Sequence, residues 1–249
     1  MRRYRDQGIP GYRTGLVAMS LVAIGGWAFR AETLRGLLPA GCGSSIHLVN
    51  PYPPQKVHQA LGDVSNRGRP LAIVGWSLGA MLAIEYAARQ PGKVAQLVLL
   101  SPTARFCSAP GYRWGKPASE VRALKLGLRR NRDAALTRFY QLCFAPETVP
   151  HGKINEHLQE MAAVSDEALL AGLDYLERED LRGSLASVRA EVVVIHGAED
   201  TVVPHQASAA LAATLSGPIR ARIVVEGAGH ALPITRTAIL RTVIATFLG

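Results

Sequence analysis

The sequence predicts an α/β fold with a mostly parallel, doubly wound sheet and a helical cap inserted into it. Short apolar segments alternate with amphipathic ones along much of the chain, which is typical of a parallel sheet covered on both faces. Between residues 102 and 185 helical periodicity continues, but no strand pattern is present. The alternation then resumes, so residues 1–101 and 186–249 are predicted to form the core and residues 102–185 the cap.

Each element follows from apolar periodicity and from the Pro and Gly residues that end it. Strands are predicted at residues 16–24, 45–49, 71–74, 94–100, 191–196 and 219–225. Core helices are predicted at residues 30–38, 57–67, 81–90, 206–215 and 235–248. Cap helices are predicted at residues 118–128, 132–144, 154–163 and 166–178.

Composition allows one large globular domain, because 249 residues can bury a sizeable core and 48% of them are hydrophobic. The three cysteines, Cys42, Cys107 and Cys143, lack the spacing of metal ligands. We therefore expect reduced thiols in a cytoplasmic protein, with no metal and no other cofactor.

The net charge of +9 comes mostly from arginine and favours an acidic partner, such as nucleic acid, an anionic membrane or an acidic protein. An arginine-rich composition without any such partner explains the charge equally well.

The amino-terminal region resembles a signal peptide or membrane anchor, because four arginines precede an apolar run at residues 16–29. Pro10, Gly11 and Gly15 interrupt its lead-in, the run is short for a bilayer crossing, and no clean cleavage site follows. A buried strand that ends at a Gly-Gly turn fits better, so we expect no stable membrane insertion.

Ser77 lies where an apolar strand meets a helix, and Gly75 and Gly79 flank it in the G-x-S-x-G pattern of a nucleophile elbow. This pattern alone would match by chance in roughly one chain in ten. The strand before it and the helix after it strengthen the assignment. Such a turn exposes the serine hydroxyl and places the Leu78 N–H, at the helix start, beside it.

Asp200 and His230 each follow a predicted strand, so both can reach the sheet edge where Ser77 lies. The order Ser77, Asp200, His230 is the chain order of the α/β-hydrolase triad. His230 can accept the serine proton, and Asp200 can fix the imidazole tautomer. Glu199 is the alternative carboxylate, but the Asp-x-x-Val-Pro context favours Asp200. We expect His196 to be structural.

A tetrahedral intermediate also needs two N–H donors, which we assign to Leu78 and to Trp27 in the loop after the first core strand. Trp76, next to the predicted nucleophile, is expected to form a pocket wall.

With these motifs in place, nearly the whole chain resembles the α/β-hydrolase superfamily, and more closely the pimeloyl-acyl-carrier-protein methyl ester esterases of biotin synthesis. The segments that carry the resemblance are GWAFRAE at 26–32, GWSLG at 75–79, DLR at 180–182 with Leu185 and Val188, G-x-x-D-x-x-V-P at 197–204 and GHALP at 229–233. Gly25 departs from the family, which usually has a histidine there that supports the oxyanion loop. The predicted cap matches the family weakly.

The resemblance implies a serine carboxylesterase that removes the methyl ester from a pimeloyl chain carried on an acidic acyl carrier protein. It also implies that cap cations steer this partner and that apolar cap residues line an acyl channel. The cations are Arg122, Lys125, Arg129, Arg130, Arg132 and Arg138, and the pocket residues are Trp76, Phe139 and Tyr140. For each cation, a solvated helix face is an equally good explanation.

We expect a monomer that binds no nucleic acid. Two alternatives stay open: a small-ester, thioester or carbon–carbon-bond hydrolase with the same triad, or a non-catalytic basic binding protein.

Overall fold

The computed structural model describes residues 19–39 and 45–249. In this part of the chain, six strands form one sheet in the order β2-β1-β3-β4-β5-β6, and every neighbouring pair is parallel. The strands are β1 (Ser20–Ile24), β2 (Ile46–Val49), β3 (Leu71–Trp76), β4 (Val94–Leu100), β5 (Glu191–Gly197) and β6 (Ile219–Val225).

Burial explains the apolar runs in the sequence. All residues of β1 and β3 are buried, as expected for central strands that are covered on both faces. The edge strands β2 and β6 are only partly buried. The strand predicted from residue 16 is observed from Ser20, and its first residues, like Cys42, lie outside the described residues.

Helices cover the sheet and fill the long connection between β4 and β5. The α-helices are α1 (Pro54–Ser65), α2 (Leu78–Arg89), α3 (Ala118–Arg130), α4 (Arg132–Phe144), α5 (Lys153–Met161), α6 (Asp166–Arg178), α7 (His205–Ala212), α8 (Leu232–Thr235) and α9 (Thr237–Leu248). Short 3-10 helices occur at Ala31–Leu37 and Arg182–Ser187. We call residues 102–185, which contain α3 to α6, the helical insertion.

Hydrogen bonds and ion pairs tie the helical insertion to the core. The Tyr175 hydroxyl of α6 donates to Glu85 Oε2 of α2 at 2.7 Å. Where the chain returns to the core, Asp180 binds Arg105 at 2.9 Å and Arg182 at 2.7 Å. These arginines lower the pKa of the Asp180 carboxyl to about 2, so it stays ionised near neutral pH.

Among the described residues, no helix has both the length and the hydrophobicity that a bilayer crossing requires.

Candidate active site

Ser77 occupies a strained turn between β3 and α2, with φ of +54° and ψ of −114°. Residues other than glycine seldom adopt positive φ, and such strain persists only where the surroundings enforce it. A β-carbon on Gly75 would lie 2.7 Å from the Gly79 carbonyl oxygen, whereas one on Gly79 would lie 2.3 Å from the Ile24 carbonyl oxygen. The first contact lies within the G-x-S-x-G pattern itself and explains why a side chain is not tolerated at Gly75. The second contact is with β1, a strand distant in sequence, so the G-x-S-x-G pattern could not predict it.

The structure brings the three predicted triad residues into one hydrogen-bonded chain. His230 Nε2 lies 3.0 Å from Ser77 Oγ, and His230 Nδ1 lies 2.7 Å from Asp200 Oδ2. All three residues are at least nine-tenths buried. An imidazole held in this way can take the serine proton at Nε2 while the carboxylate stabilises the charge that develops on the ring.

The loop after β5 holds the Asp200 carboxylate from the other side. Its Oδ1 accepts hydrogen bonds from the backbone N–H groups of Val202 at 2.9 Å and Val203 at 2.8 Å. Burial alone would raise the pKa of this carboxyl. The neighbouring His230 and His196 outweigh that effect and hold the pKa well below its usual value. Asp200 is therefore ionised near neutral pH.

His196 is fully buried at the end of β5, in the structural position expected from the sequence, but it also contacts the carboxylate. Its Nε2 lies 2.8 Å from the Val203 carbonyl oxygen and 3.3 Å from Asp200 Oδ2. Because a carbonyl accepts only from an N–H, Nε2 carries the proton. The four-residue spacing between His196 and Asp200 is visible in the sequence. The spacing alone does not predict the contact, because the contact depends on how the loop after β5 folds back.

The two predicted oxyanion donors lie in neighbouring loops. Strands β1 and β3 are paired so that Ile24 is opposite Gly75. The chain passes from β1 to β2 in one direction across the sheet and from β3 to β4 in the other, so the direction of strand addition reverses between β1 and β3. Ligands of open α/β sheets bind in the crevice at such a reversal. Trp27 follows β1 and Leu78 begins α2, and neither backbone N–H has a hydrogen-bond acceptor within the described residues. Both amides are thus available to a ligand.

A cavity of about 550 Å³ opens beside Ser77 and Trp27. It lies between the helical insertion and the loop after β5, and most of its lining is apolar. Representative lining residues are Leu124, Phe139, Leu142, Leu173 and Val202. Such a cavity can hold an extended hydrocarbon chain next to the serine hydroxyl.

Of the three predicted pocket residues, Phe139 lines the cavity, whereas Trp76 and Tyr140 do not. Both are completely buried behind its wall. Trp76 donates from Nε1 to the His230 carbonyl oxygen at 3.1 Å, and the Tyr140 hydroxyl donates to the Ala28 carbonyl oxygen at 2.8 Å. The prediction was wrong for these two because each polar atom has a backbone partner that turns it away from the cavity.

The predicted cap cations divide into paired and unpaired groups. Lys125 binds Asp174 at 2.6 Å and also Glu177, and Arg132 binds Asp166 and the Val164 carbonyl oxygen. These contacts give Lys125 and Arg132 structural roles within the helical insertion.

Arg122 lies 3.6 Å from Glu177, a weaker pairing. Arg129, Arg130 and Arg138 are exposed and have no ion-pair partner in the part of the chain that the structure describes, and Arg130 and Arg138 line the cavity. Of the six predicted cap cations, these three can meet an anionic ligand or partner without breaking an ion pair that the described residues form.

Solved structures share this fold. An esterase from Exiguobacterium antarcticum superposes with a TM-score of 0.79 at 18% identity, covering 94% of this chain and 93% of that one. A bromoperoxidase from Bacillus anthracis gives a TM-score of 0.80 at 18% identity, covering 93% and 92%. At this identity the likeness concerns the fold alone.

Two relatives are named pimeloyl-acyl-carrier-protein methyl ester esterase. The one from Nitrosospira multiformis is 34% identical over 55% of this chain and 53% of its own length. The one from Methylococcus capsulatus is 36% identical over 62% of each chain. The matched segments thus span only about half to two thirds of these relatives. The model of the alpha/beta hydrolase family matches residues 19–241, and the chain belongs to this family.

Proposed function

We propose that the protein is a serine carboxylesterase that hydrolyses the methyl ester of pimeloyl-acyl-carrier protein. The observation that carries the proposal is the hydrogen-bonded chain from Ser77 through His230 to Asp200, which ends at a largely apolar cavity. The names of the relatives from Nitrosospira multiformis and Methylococcus capsulatus support the choice of substrate.

In the first half of the reaction, Ser77 Oγ attacks the ester carbonyl carbon while His230 Nε2 takes the serine proton. The carbonyl oxygen becomes an oxyanion, for which the N–H groups of Trp27 and Leu78 are the donors. When the tetrahedral intermediate collapses, His230 returns the proton to the methoxy oxygen, and methanol leaves. The acyl chain is then esterified to Ser77.

In the second half, water takes the place of the serine hydroxyl. His230 removes a proton from the water, whose oxygen attacks the acyl carbon and forms a second oxyanion in the same place. Collapse returns the proton from His230 to Ser77 Oγ and releases the carboxylic acid, which loses its proton to solvent and becomes the carboxylate. Loss of one oxyanion donor costs about 3–4 kcal/mol of transition-state stabilisation in serine hydrolases.

The cavity supports a linear acyl substrate. Leu124, Phe139 and Leu142 provide an apolar surface for a methylene chain, and exposed Arg130 and Arg138 lie where the cavity meets solvent. In this arrangement residues 102–185 act as a cap. The chain attached to the carrier passes out beside the cationic residues, which attract the acidic carrier.

The first prediction tests the nucleophile. Ser77→Ala removes the attacking oxygen, so methanol release from pimeloyl-acyl-carrier-protein methyl ester should fall by about 10⁴-fold or more. A fluorophosphonate probe should label the unaltered protein and fail to label the variant. Ser101→Ala, which alters another buried serine at the end of the neighbouring strand β4, is the matched control and should keep its labelling.

Two results would contradict this proposal. Full activity in Ser77→Ala would refute the triad mechanism. Rapid hydrolysis of p-nitrophenyl acetate with no turnover of the carrier-bound methyl ester would refute the substrate assignment and leave the triad intact.

A further inference from the structure

The loop that carries the Trp27 amide is held from outside at three successive residues. The Trp27 indole Nε1 donates to the Leu169 carbonyl oxygen at 2.9 Å. The carbonyl oxygens of Ala28 and Phe29 accept from the hydroxyls of Tyr140 and Tyr52, each at 2.8 Å. Trp27, Ala28 and Phe29 are all buried, so water does not replace these partners.

Tyr140 is the critical member of this set because Ala28 has the least tolerant backbone. Ala28 has a φ of +57°, a conformation that needs support from its surroundings when the residue is not glycine. The Tyr140 hydroxyl is the donor that the described residues offer to the Ala28 carbonyl oxygen. Its ring is also fixed, because it packs edge-on against Phe29 with 5.1 Å between ring centroids.

Tyr140 belongs to α4, so the support for Ala28 comes from the helical insertion, whereas Tyr52, which holds Phe29, belongs to the core. Helix α6 adds to the support from the insertion, since a β-carbon on Gly172 would lie 2.7 Å from Trp27 Cδ1. On the core side, Gly25 provides no side chain that could brace the loop. The contacts at Trp27 and Ala28 themselves therefore come from two helices of the insertion.

From these contacts we propose that Tyr140 is a positioning residue for the oxyanion hole: through its hydrogen bond to the Ala28 carbonyl, the helical insertion sets the place of the Trp27 N–H. The inference rests on the proposed function. It gives the insertion a part in the chemical step in addition to covering the cavity. Tyr140 itself does not line the cavity, so removing its hydroxyl leaves the lining unchanged.

The test is Tyr140→Phe, which keeps the ring and removes only the hydroxyl. The buried Ala28 carbonyl then lacks its donor, and the loop can relax away from the geometry that the oxyanion needs. We expect kcat for a soluble methyl ester to fall roughly tenfold, part of the 10²- to 10³-fold loss that removing a donor outright causes. KM should stay within about twofold, because the cavity lining is unchanged.

An alkylboronic acid provides a second measurement, because its tetrahedral adduct with Ser77 places an oxygen where the oxyanion forms. Its inhibition constant should rise by about the same factor as kcat falls. Binding of monomethyl pimelate as a ground-state ligand to Ser77→Ala should be unaffected when Tyr140→Phe is added.

Tyr175→Phe is the matched control. It also removes one buried hydroxyl that links the insertion to the core, but that hydroxyl binds Glu85 and not the Trp27 loop. It should lower the melting temperature and leave kcat near that of the unaltered protein. An equal fall of kcat in both variants would overturn the inference, since general loosening of the insertion would then explain it.

Unchanged kcat and unchanged boronic acid inhibition in Tyr140→Phe would also overturn the inference, provided that Ser77→Ala is inactive. If Ser77→Ala retains activity, the proposed function itself fails. The two failures are therefore distinguishable.

Discussion

A β-carbon on Gly79 would lie 2.3 Å from the carbonyl oxygen of Ile24 and 2.5 Å from that of Gly25, both at the end of β1. These are backbone atoms within the sheet, so they cannot move aside as a flexible side chain would. Gly79 thus allows the first turn of α2 to approach β1 and keeps Ser77 next to the Trp27 loop.

We predict that Gly79→Ala destabilises the protein by at least about 1–3 kcal/mol, because the new methyl group overpacks a rigid site. Urea unfolding measures the loss, and the rate of fluorophosphonate labelling should fall with it. Gly62→Ala in α1, where a β-carbon meets no atom within 4 Å, should instead be neutral or stabilising. Wild-type stability and labelling in Gly79→Ala would contradict this account of the elbow.

Ser77, Asp200 and His230 could be predicted because each follows an apolar strand and their order fits one reaction. The supporting residues could not be predicted in this way. The contact from Tyr140 to Ala28 joins residues 112 positions apart, and the contact from Trp76 to His230 joins residues 154 apart. A local pattern records that these rings are apolar, but it carries no information about which carbonyl their polar atoms reach.

At the scale of elements, apolar periodicity gave β4, β6, α4 and α6 with their observed bounds. The predicted helix at residues 30–38 is a 3-10 helix, and its buried residues Ala31, Leu34 and Leu37 recur every three positions. The helix predicted at residues 235–248 is observed as α9 (Thr237–Leu248), and the short helix α8 that precedes it was not predicted. The apolar runs therefore predicted where the elements lie along the chain. They did not predict the kind of helix at residues 30–38 or the exact bounds of the last helices.

Helix α2 is joined to its neighbours by one buried carboxylate. Glu85 accepts from the Tyr175 hydroxyl of α6 and pairs with Arg89 at 2.6 Å, and His58 of α1 lies 3.3 Å away. Burial acts to raise the pKa of Glu85, but the nearby His58, the hydrogen bond from Tyr175 and the charge of Arg89 outweigh it and the pKa is lowered. The carboxylate therefore stabilises the native state in its ionised form.

We predict that Glu85→Gln is destabilised by about 1–3 kcal/mol at pH 7, because it breaks a buried charged network. Since the pKa is lowered in the folded state, this contribution is present above the unfolded value of about 4.3. This stabilising contribution is lost as the pH falls through the lowered pKa that Glu85 has in the folded state. Urea unfolding of both proteins between pH 7 and pH 3.5 should show the stability difference narrowing on acidification. A difference that does not change with pH would contradict the assigned charge.

At the scale of the whole molecule, the helical insertion contacts both loops that complete the site. Tyr140 of α4 holds the Ala28 carbonyl, and the backbone N–H of Ala231, next to His230, donates to the Cys143 carbonyl oxygen of α4 at 2.8 Å. One helix thus spans from the oxyanion loop to the histidine loop. Displacement of α4 would disturb both, so the insertion and the core form a single catalytic unit under the proposed function.

The net charge of +9 is also distributed in a way that the sequence does not reveal. Lys125 and Arg132 are engaged within the insertion, whereas Arg129, Arg130 and Arg138 are exposed and unpaired among the described residues. Arg130 and Arg138 line the cavity, and Arg129 precedes Arg130 in the chain. Because like charges that lie close together add to one local potential, these three should attract an acidic partner more strongly than the same charges dispersed elsewhere.

We therefore predict that the combined variant Arg129→Ala, Arg130→Ala and Arg138→Ala lowers kcat/KM for the carrier-bound methyl ester by about 10- to 100-fold at low salt, mostly through KM. Raising the ionic strength should lower kcat/KM of the unaltered protein until it approaches that of the variant, because salt screens exposed charges. The control replaces three exposed core arginines, Arg35, Arg67 and Arg241, and so removes the same net charge. If both triple variants lose the same activity and salt dependence, total charge and not its position at the cavity directs the carrier.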